Sequence, residues 1–270
     1  KIDINSDFKS KGDLYIVAVP VQYMRETLAE FSFLDNSPIL ALSKGIEKDT
    51  LMFPLEIIKD ALREQGRVTA VLSGPSHAEQ VVERIPTSVV VSSENSDILT
   101  LLRSLFSDKH FRVYSNNDVA GVQLGGAVKN VIAIAAGIVH GLNFKENTIS
   151  TLLTRGLYEI KLLGYKLGAK KETLNGLAGL GDLMATAFST HSRNRYVGIK
   201  IAEGDSLSNI LETIKANAEG VETARSLYNL SKSLNIDLPI CNKVYEILYL
   251  NEDPLESINS LMSRELRDEF

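Results

Sequence analysis

A chain of 270 residues, 44% hydrophobic and 23% charged, has ordinary globular composition and room for one large domain or two modest ones. A formal net charge of -5 excludes nucleic acid as the main partner, so an anionic ligand must find its positive charge gathered locally. The single cysteine, Cys241, excludes an intramolecular disulfide and fits a reducing cytoplasm, and His77, His110, His140 and His191 lack metal-ligand spacing, so no metal is expected.

In chain order, Leu14–Pro20 is a continuous apolar run ended by proline, as in a strand buried on both faces. A helix is predicted over Arg25–Phe33, and a short strand over Ile39–Leu42 that runs into Ser43, Lys44 and Gly45. Leu51–Glu64 reads as helix and Val68–Leu72 as strand, leading into Ser73-Gly74-Pro75-Ser76. Ala78–Arg84 is helical, Thr87–Val91 a strand, Asp97–Phe106 a helix and Phe111–Tyr114 a last strand. Strands alternating with helices predict a parallel α/β sheet. Ligands of such sheets sit beyond the carboxyl ends of the strands, which puts Pro20, Lys44 and the Gly74–Ser76 loop on one rim. Lys44 has a rival reading as a surface turn lysine, Ser76 as a helix cap, and His77 reads as positional. No G-x-G-x-x-G turn stands before Asp13. Either the sequence starts inside a longer protein, or this sheet does not bind a dinucleotide through that turn.

Strand signals stop after Tyr114. Asp118–Leu142 reads as one long, small-residue-rich helix with Lys129 in its apolar middle. Gly125, Gly126 and Ala133 share a face with that lysine and are expected to leave open space beside it for a ligand. The competing reading is close helix packing by the glycines, with Lys129 snorkelling to water. The apolar run Val131–Val139 is too short for a bilayer, which takes about 20 residues, and the first residues lack a signal peptide's apolar core. Thr151–Leu167 is helical, with Arg155 and Glu159 spaced to pair. Asp182 and Thr186 share a helix face after a glycine-punctuated stretch. Ser192-Arg193-Asn194-Arg195 is either a phosphate-binding donor cluster or a helix start capped by Ser192. Leu207–Ile214 (capped by Ser206), Glu222–Leu234, Asn242–Leu250 and a turn through Leu255–Met262 are further helices, broken by Asn217–Val221. The fold expected is thus an N-terminally incomplete Rossmann-type sheet over residues 1–116, lacking its first βαβ unit, followed by an all-helical domain over 117–270.

Seven motifs occur in order: L-S-K-G-I at Leu42–Ile46, S-G-P-S-H-A at Ser73–Ala78, G-G-A-V-K-N at Gly125–Asn130, T-R-G-L at Thr154–Leu157, G-L-G-D-L at Gly179–Leu183, S-R-N-R at Ser192–Arg195 and A-E-G-V at Ala218–Val221. Together they resemble the bacterial-type NAD(P)-dependent glycerol-3-phosphate dehydrogenase family. That resemblance implies interconversion of dihydroxyacetone phosphate and sn-glycerol 3-phosphate for phospholipid synthesis, with NAD or NADP, in a cytoplasmic homodimer without a membrane span. It implies a catalytic role for Lys129 as proton donor and acceptor, with Asp182 and Thr186 in the active site. Substrate contacts fall on Lys44, Gly74, Ser76, Lys129, Asp182, Ser192, Arg193 and Asn194. Cofactor contacts fall on Lys44, Ala78, Arg193, Asn217 and Glu219. Burial and a second cation, Lys44, are expected to lower the Lys129 pKa, with Asp182 opposing them. Two alternatives are a lysine-dependent dehydrogenase of the 3-hydroxyacid type and a non-catalytic helical dimerisation module.

Overall fold

The structure, a computed structural model, describes residues 12–30, 36–63, 66–214, 218–266 and 268–269. The first part interleaves β1 (Tyr15–Val17), α1 (Val21–Ala29), β2 (Ile39–Ala41), α2 (Pro54–Ala61), β3 (Thr69–Ser73), α3 (Ala78–Val82), β4 (Thr87–Ser92), α4 (Ser96–Phe106) and β5 (Phe111–Asn116). Strand order follows chain order, β1-β2-β3-β4-β5. β1, β2 and β3 are mutually parallel, with Ile39 opposite both Tyr15 and Thr69.

The sheet departs from the all-parallel expectation at β4. β4 runs antiparallel to β3, with Ser73 opposite Val90, and β5 then runs parallel to β4. The connection explains the reversal. α3 has five residues, so it rises about 8 Å, whereas a six-residue strand is about 20 Å long. It cannot carry the chain back down the sheet for a parallel return, so the chain turns at the rim. The eleven residues of α4 are long enough, and β4 and β5 pair in parallel.

The second part is helical: α5 (Val119–Gly141), α6 (Glu146–Lys166), α7 (Lys171–Asn175), a π-helical turn (Leu177–Gly181), α8 (Asp182–Phe188), α9 (Arg193–Ala202), α10 (Leu207–Ile214), α11 (Glu219–Ser233), α12 (Pro239–Leu250) and α13 (Pro254–Met262). Asp118 starts α5 by accepting the Gly121 N–H at 3.0 Å, and its other oxygen accepts the Lys170 N–H at 2.8 Å. α5 is apolar on every side and is buried from Gly121 to Val139, as such a helix must be. By length and composition it could cross a bilayer, but its apolar middle is wholly enclosed by the protein. It packs on β3, α6, α8, α9 and α11 and forms the centre of the main hydrophobic core.

Small residues set how closely these helices approach. A Cβ on Gly198 of α9 would lie 2.0 Å from the Ile134 carbonyl of α5. The expected Arg155–Glu159 pair does not form. Glu159 turns inward and accepts the Ile240 and Cys241 N–H groups at 2.7 and 3.1 Å, tying α6 to the start of α12. The free N–H groups of a helix's first turn are the stronger attraction for a buried carboxylate.

Candidate active site

Three parallel strands deliver their carboxyl ends to one rim, as the sequence implies. β3 ends at Ser73, and Gly74 follows with φ of +122° and its Cα against Val89, where a Cβ would meet the Val89 Cα at 3.1 Å. Only glycine fits that backbone comfortably. The Gly74 carbonyl accepts from Lys44 Nζ at 3.1 Å and from Ser76 Oγ at 3.1 Å. Ser76 is therefore not the cap of α3. Ala78, the first residue of α3, lies exposed on the same rim.

Across from this rim, α5 presents Lys129. Its ammonium donates to Asp182 Oδ1 at 2.5 Å and to Thr186 Oγ1 at 2.8 Å. The Thr186 hydroxyl donates in turn to the Asp182 carbonyl at 2.7 Å, which confirms that the two residues share a helix face. Lys44 Nζ reaches the second carboxylate oxygen, Asp182 Oδ2, at 2.6 Å. One buried carboxylate is thus bracketed by two ammonium groups, one from each half of the fold. Asp182 and Lys129 are only 2% and 7% exposed, so their charges interact with little screening.

Burial pushes the Lys129 pKa down to about 8, with the neighbouring Lys44 cation adding to the fall and Asp182 opposing it. This is the balance expected from the sequence. For Asp182, burial alone would raise the pKa, but the two ammonium groups and their hydrogen bonds overcome it and hold the carboxyl below its usual range.

Gly125 and Gly126 do not leave a vacant space. A Cβ on Gly125 would strike the Ala178 carbonyl at 2.4 Å, and one on Gly126 would strike Ser73 Oγ at 2.7 Å and approach the Lys44 stem at 3.3 Å. The expectation of ligand room there gives way to close packing. Gly125 admits the π-helical turn that precedes Asp182, and Gly126 admits Lys44. The packing reading was right for the glycines, while Lys129 itself is buried and paired rather than snorkelling.

The S-R-N-R cluster opens α9. The Ser192 hydroxyl accepts the Arg195 N–H at 3.2 Å, so it caps the helix and keeps its own proton to donate. Arg193 is exposed at the helix start, beside a small cleft it shares with Thr190, His191 and Tyr196. Asn194 points inward. Its amide donates to Asn130 Oδ1 at 3.0 Å and its carbonyl oxygen accepts the Gly220 N–H at 3.0 Å. Asn130 was not singled out from the sequence, although it directly follows Lys129. Its signal was that position: an amide beside a buried lysine needs a partner. His77 Nε2 lies 3.3 Å from the Ala185 carbonyl and ties the β3 loop to α8, in keeping with a positional role.

Glu219 starts α11 near these cations. Burial raises its carboxyl to about 6, with Lys44, Lys129 and Arg193 restraining the rise. With Lys44, Gly45 and Pro20–Tyr23 it lines a cleft of about 220 Å³. That is below the ~300–1,000 Å³ of drug-sized sites, so it suits one ring and not a whole dinucleotide. Asn217 lies outside the described residues. Among the described residues no cluster of His, Cys, Asp and Glu could hold a metal ion.

The chain matches the models of the NAD-dependent glycerol-3-phosphate dehydrogenase N-terminus over residues 2–99 and C-terminus over residues 118–259. It is 42% identical over 276 residues to a Staphylococcus haemolyticus glycerol-3-phosphate dehydrogenase (NAD(P)+), covering 100% of this chain and 83% of that protein. The Staphylococcus saprophyticus enzyme of the same name is 43% identical over 94% of this chain and 77% of its own length. A crystal structure of glycerol-3-phosphate dehydrogenase from Coxiella burnetii superposes with a TM-score of 0.88 at 35% identity, covering 93% of this chain and 76% of that one. With both family models matched in order and relatives above 40% identity along nearly the whole chain, this chain, with its lysine–aspartate–lysine bridge at the rim of a Rossmann-type sheet, belongs to the NAD-dependent glycerol-3-phosphate dehydrogenase family.

Proposed function

We propose that this chain interconverts dihydroxyacetone phosphate and sn-glycerol 3-phosphate, with Lys129 exchanging the proton at the substrate's central oxygen. The observation that carries the reading is the bridge Lys129–Asp182–Lys44. An ordinary lysine, pKa about 10.4, gives up its proton reluctantly at neutral pH. Lys129, at about 8, matches a general acid working near pH 7–8. Asp182 and Thr186 fix where its ammonium points. In ketone reduction Lys129 donates its proton to the carbonyl oxygen, and in alcohol oxidation the neutral amine takes it back.

A bound nicotinamide dinucleotide supplies or accepts the hydride. The residues around the rim suit such a group: the ring-sized cleft beside Lys44 and Glu219, and the exposed rim at Ala78, with Arg193 close by. Lys44, which shares the Asp182 carboxylate with Lys129, is assigned to the substrate oxygen as well. Arg193, the Ser192 hydroxyl proton and the remaining amide hydrogen of Asn194 are assigned to the substrate phosphate. Holding that non-reacting end fixes the carbonyl against Lys129, which can lower the barrier by several kcal/mol. Residues 1–116 mainly serve the cofactor side and 117–270 mainly the substrate side in this reading, with Lys44 and Arg193 serving both and Glu219 the cofactor. The family resemblance also supports a cytoplasmic homodimer, and sedimentation velocity at micromolar concentration checks the dimer.

The direct test is oxidation of NADH and of NADPH by the enzyme, each with dihydroxyacetone phosphate. Turnover with either supports the reading. No turnover with either coenzyme, by a protein that melts cooperatively, would sink it.

A further inference from the structure

Lys44 sits on a segment with no helix or strand of its own, between β2 and α2. Such a segment places a side chain accurately only if something outside it fixes the backbone. Two of the restraints that fix it meet at one atom. The Ile46 carbonyl accepts from Gln22 Nε2 at 2.8 Å, on α1, and from Ser226 Oγ at 3.0 Å, on α11, the one Ser226 hydroxyl proton being shared with the Glu222 carbonyl at 3.2 Å. The same Gln22 side chain accepts the Lys48 N–H at 3.0 Å through Oε1, so it holds the loop at two points. The Ile46 side chain is fully buried and belongs to the hydrophobic core built around α5, not to the core under the sheet. One residue later, Arg25 forks onto Glu47, Nε at 3.0 Å and Nη2 at 2.8 Å. The loop is therefore anchored from the sheet side by α1 and from the helical side by α11.

We propose that Gln22 and Ser226 are positioning residues for Lys44, acting through the Ile46 carbonyl that both of them hold. Ile46 is two residues from Lys44, and the only freedom between them is that of the intervening backbone. The two donors come from opposite sides of the cleft, so together they set the distance between the Lys44 loop and the helix that carries Lys129. Without both, the loop keeps its fold but not its register, and Lys44 Nζ loses its 2.6 Å approach to Asp182. Ser226 is the cleaner probe. It is fully buried and away from the ring-sized cleft, so it cannot act by touching a ligand there, whereas Gln22 lines that cleft. Its removal also leaves the Ile46 carbonyl one donor, so no buried acceptor is orphaned.

The proposal rests on the reading of Lys44 as an active-site residue, and the experiment separates the two. Steady-state kinetics of the intact enzyme are compared for Ser226→Ala, Gln22→Met and Lys44→Met, and for Lys44→Met combined with each of the first two. Misplacement by about 1 Å can cost on the order of a hundredfold. Ser226→Ala and Gln22→Met are expected to lower kcat/KM for dihydroxyacetone phosphate about tenfold each, with a rise in KM, and to cost less than about twofold once Lys44 is methionine. Coupled residues are recognised by that non-additivity. Singles within twofold of wild type, or equal losses with and without Lys44, would overturn the positioning role. If Gln22→Met does not fold, the Ser226→Ala pair decides alone. A Lys44→Met enzyme with wild-type kcat/KM would instead overturn the reading of Lys44 itself.

Discussion

Lys129 and Asp182 are 53 residues apart in the chain and 2.5 Å apart at their charged atoms, with both side chains almost out of water. An isolated buried ammonium would shed its proton, and an isolated buried carboxylate would take one up. Together, with Lys44 on the far oxygen, they keep a protonated lysine whose pKa is lowered only to about 8.

Turnover should follow that pKa, with opposite sign in the two directions. In the proposed role of Lys129 ketone reduction uses its protonated form, so kcat should be flat below pH 8 and fall about tenfold per unit above it. Alcohol oxidation needs the neutral amine and should rise through the same pH. Initial rates in both directions from pH 6 to 10 check this, and a profile of the same sign in both directions counts against Lys129. Lys129→Ala should lose on the order of 10²–10⁴ in kcat. A loss below about tenfold removes it as the general acid.

Asp182→Asn replaces the shared anion with a neutral amide and leaves the buried Lys129 ammonium beside the partly buried one of Lys44. Removal of the one group that raises the Lys129 pKa most should move the break in the reduction profile to lower pH. Turnover at pH 7.5 should fall at least tenfold. A break that stays near pH 8 would mean that Asp182 does not set the proton affinity.

The two neighbouring glycines of α5 should fail differently. Gly125→Ala forces a methyl into the Ala178 carbonyl, which is backbone and cannot step aside. Overpacking of this kind costs about 1–3 kcal/mol, so the melting temperature should drop by several degrees. Gly126→Ala meets the Ser73 hydroxyl and the flexible stem of Lys44, which can move. It should keep most of its stability and lose activity. Calorimetry and steady-state kinetics on both variants test the contrast.

Arg193→Ala should raise KM for dihydroxyacetone phosphate about 10- to 100-fold, the equivalent of a charge-assisted hydrogen bond of about 1.5–3 kcal/mol. The effect on coenzyme affinity should be smaller, since Glu219 and Lys44 remain. An unchanged KM removes Arg193 from the phosphate site.

Glu159 offers a pH test away from the site. Burial raises its carboxyl to about 7, with the Ile240 and Cys241 N–H groups limiting the rise. Between about pH 4.5 and 7 the folded protein then binds the proton that the unfolded chain releases. This group's contribution to stability is fully present below 4.5 and is lost as pH rises through 7, on the order of 3 kcal/mol. Glu159→Gln should abolish that part of the slope in urea melts at pH 5 and 7.5. An identical slope in the variant would show that Glu159 titrates normally.

The amino-acid sequence by itself determined the two-part organisation, because strand-length apolar runs stop at β5 and helical periodicity takes over. The family resemblance carried by the ordered motifs also pointed to Lys129, Asp182, Thr186 and Lys44, four side chains that the fold brings together. Other features depended on contacts between distant segments, which local pattern does not encode. Antiparallel β4 followed from the few residues available to α3. Glu159 left its i,i+4 partner for the N–H groups of a helix 81 residues later. Gly125 and Gly126 looked like room for a ligand until the π-helical turn and Lys44 were seen to occupy it. Asn130 and Ile46, one an amide joining α5 to α9 and the other a carbonyl held from two sides, acquire meaning only when α9, α11 and α1 have been brought to them. Motif order, through the family resemblance, pointed to Lys129, but packing decided what fills the space around it and what holds Lys44 in reach.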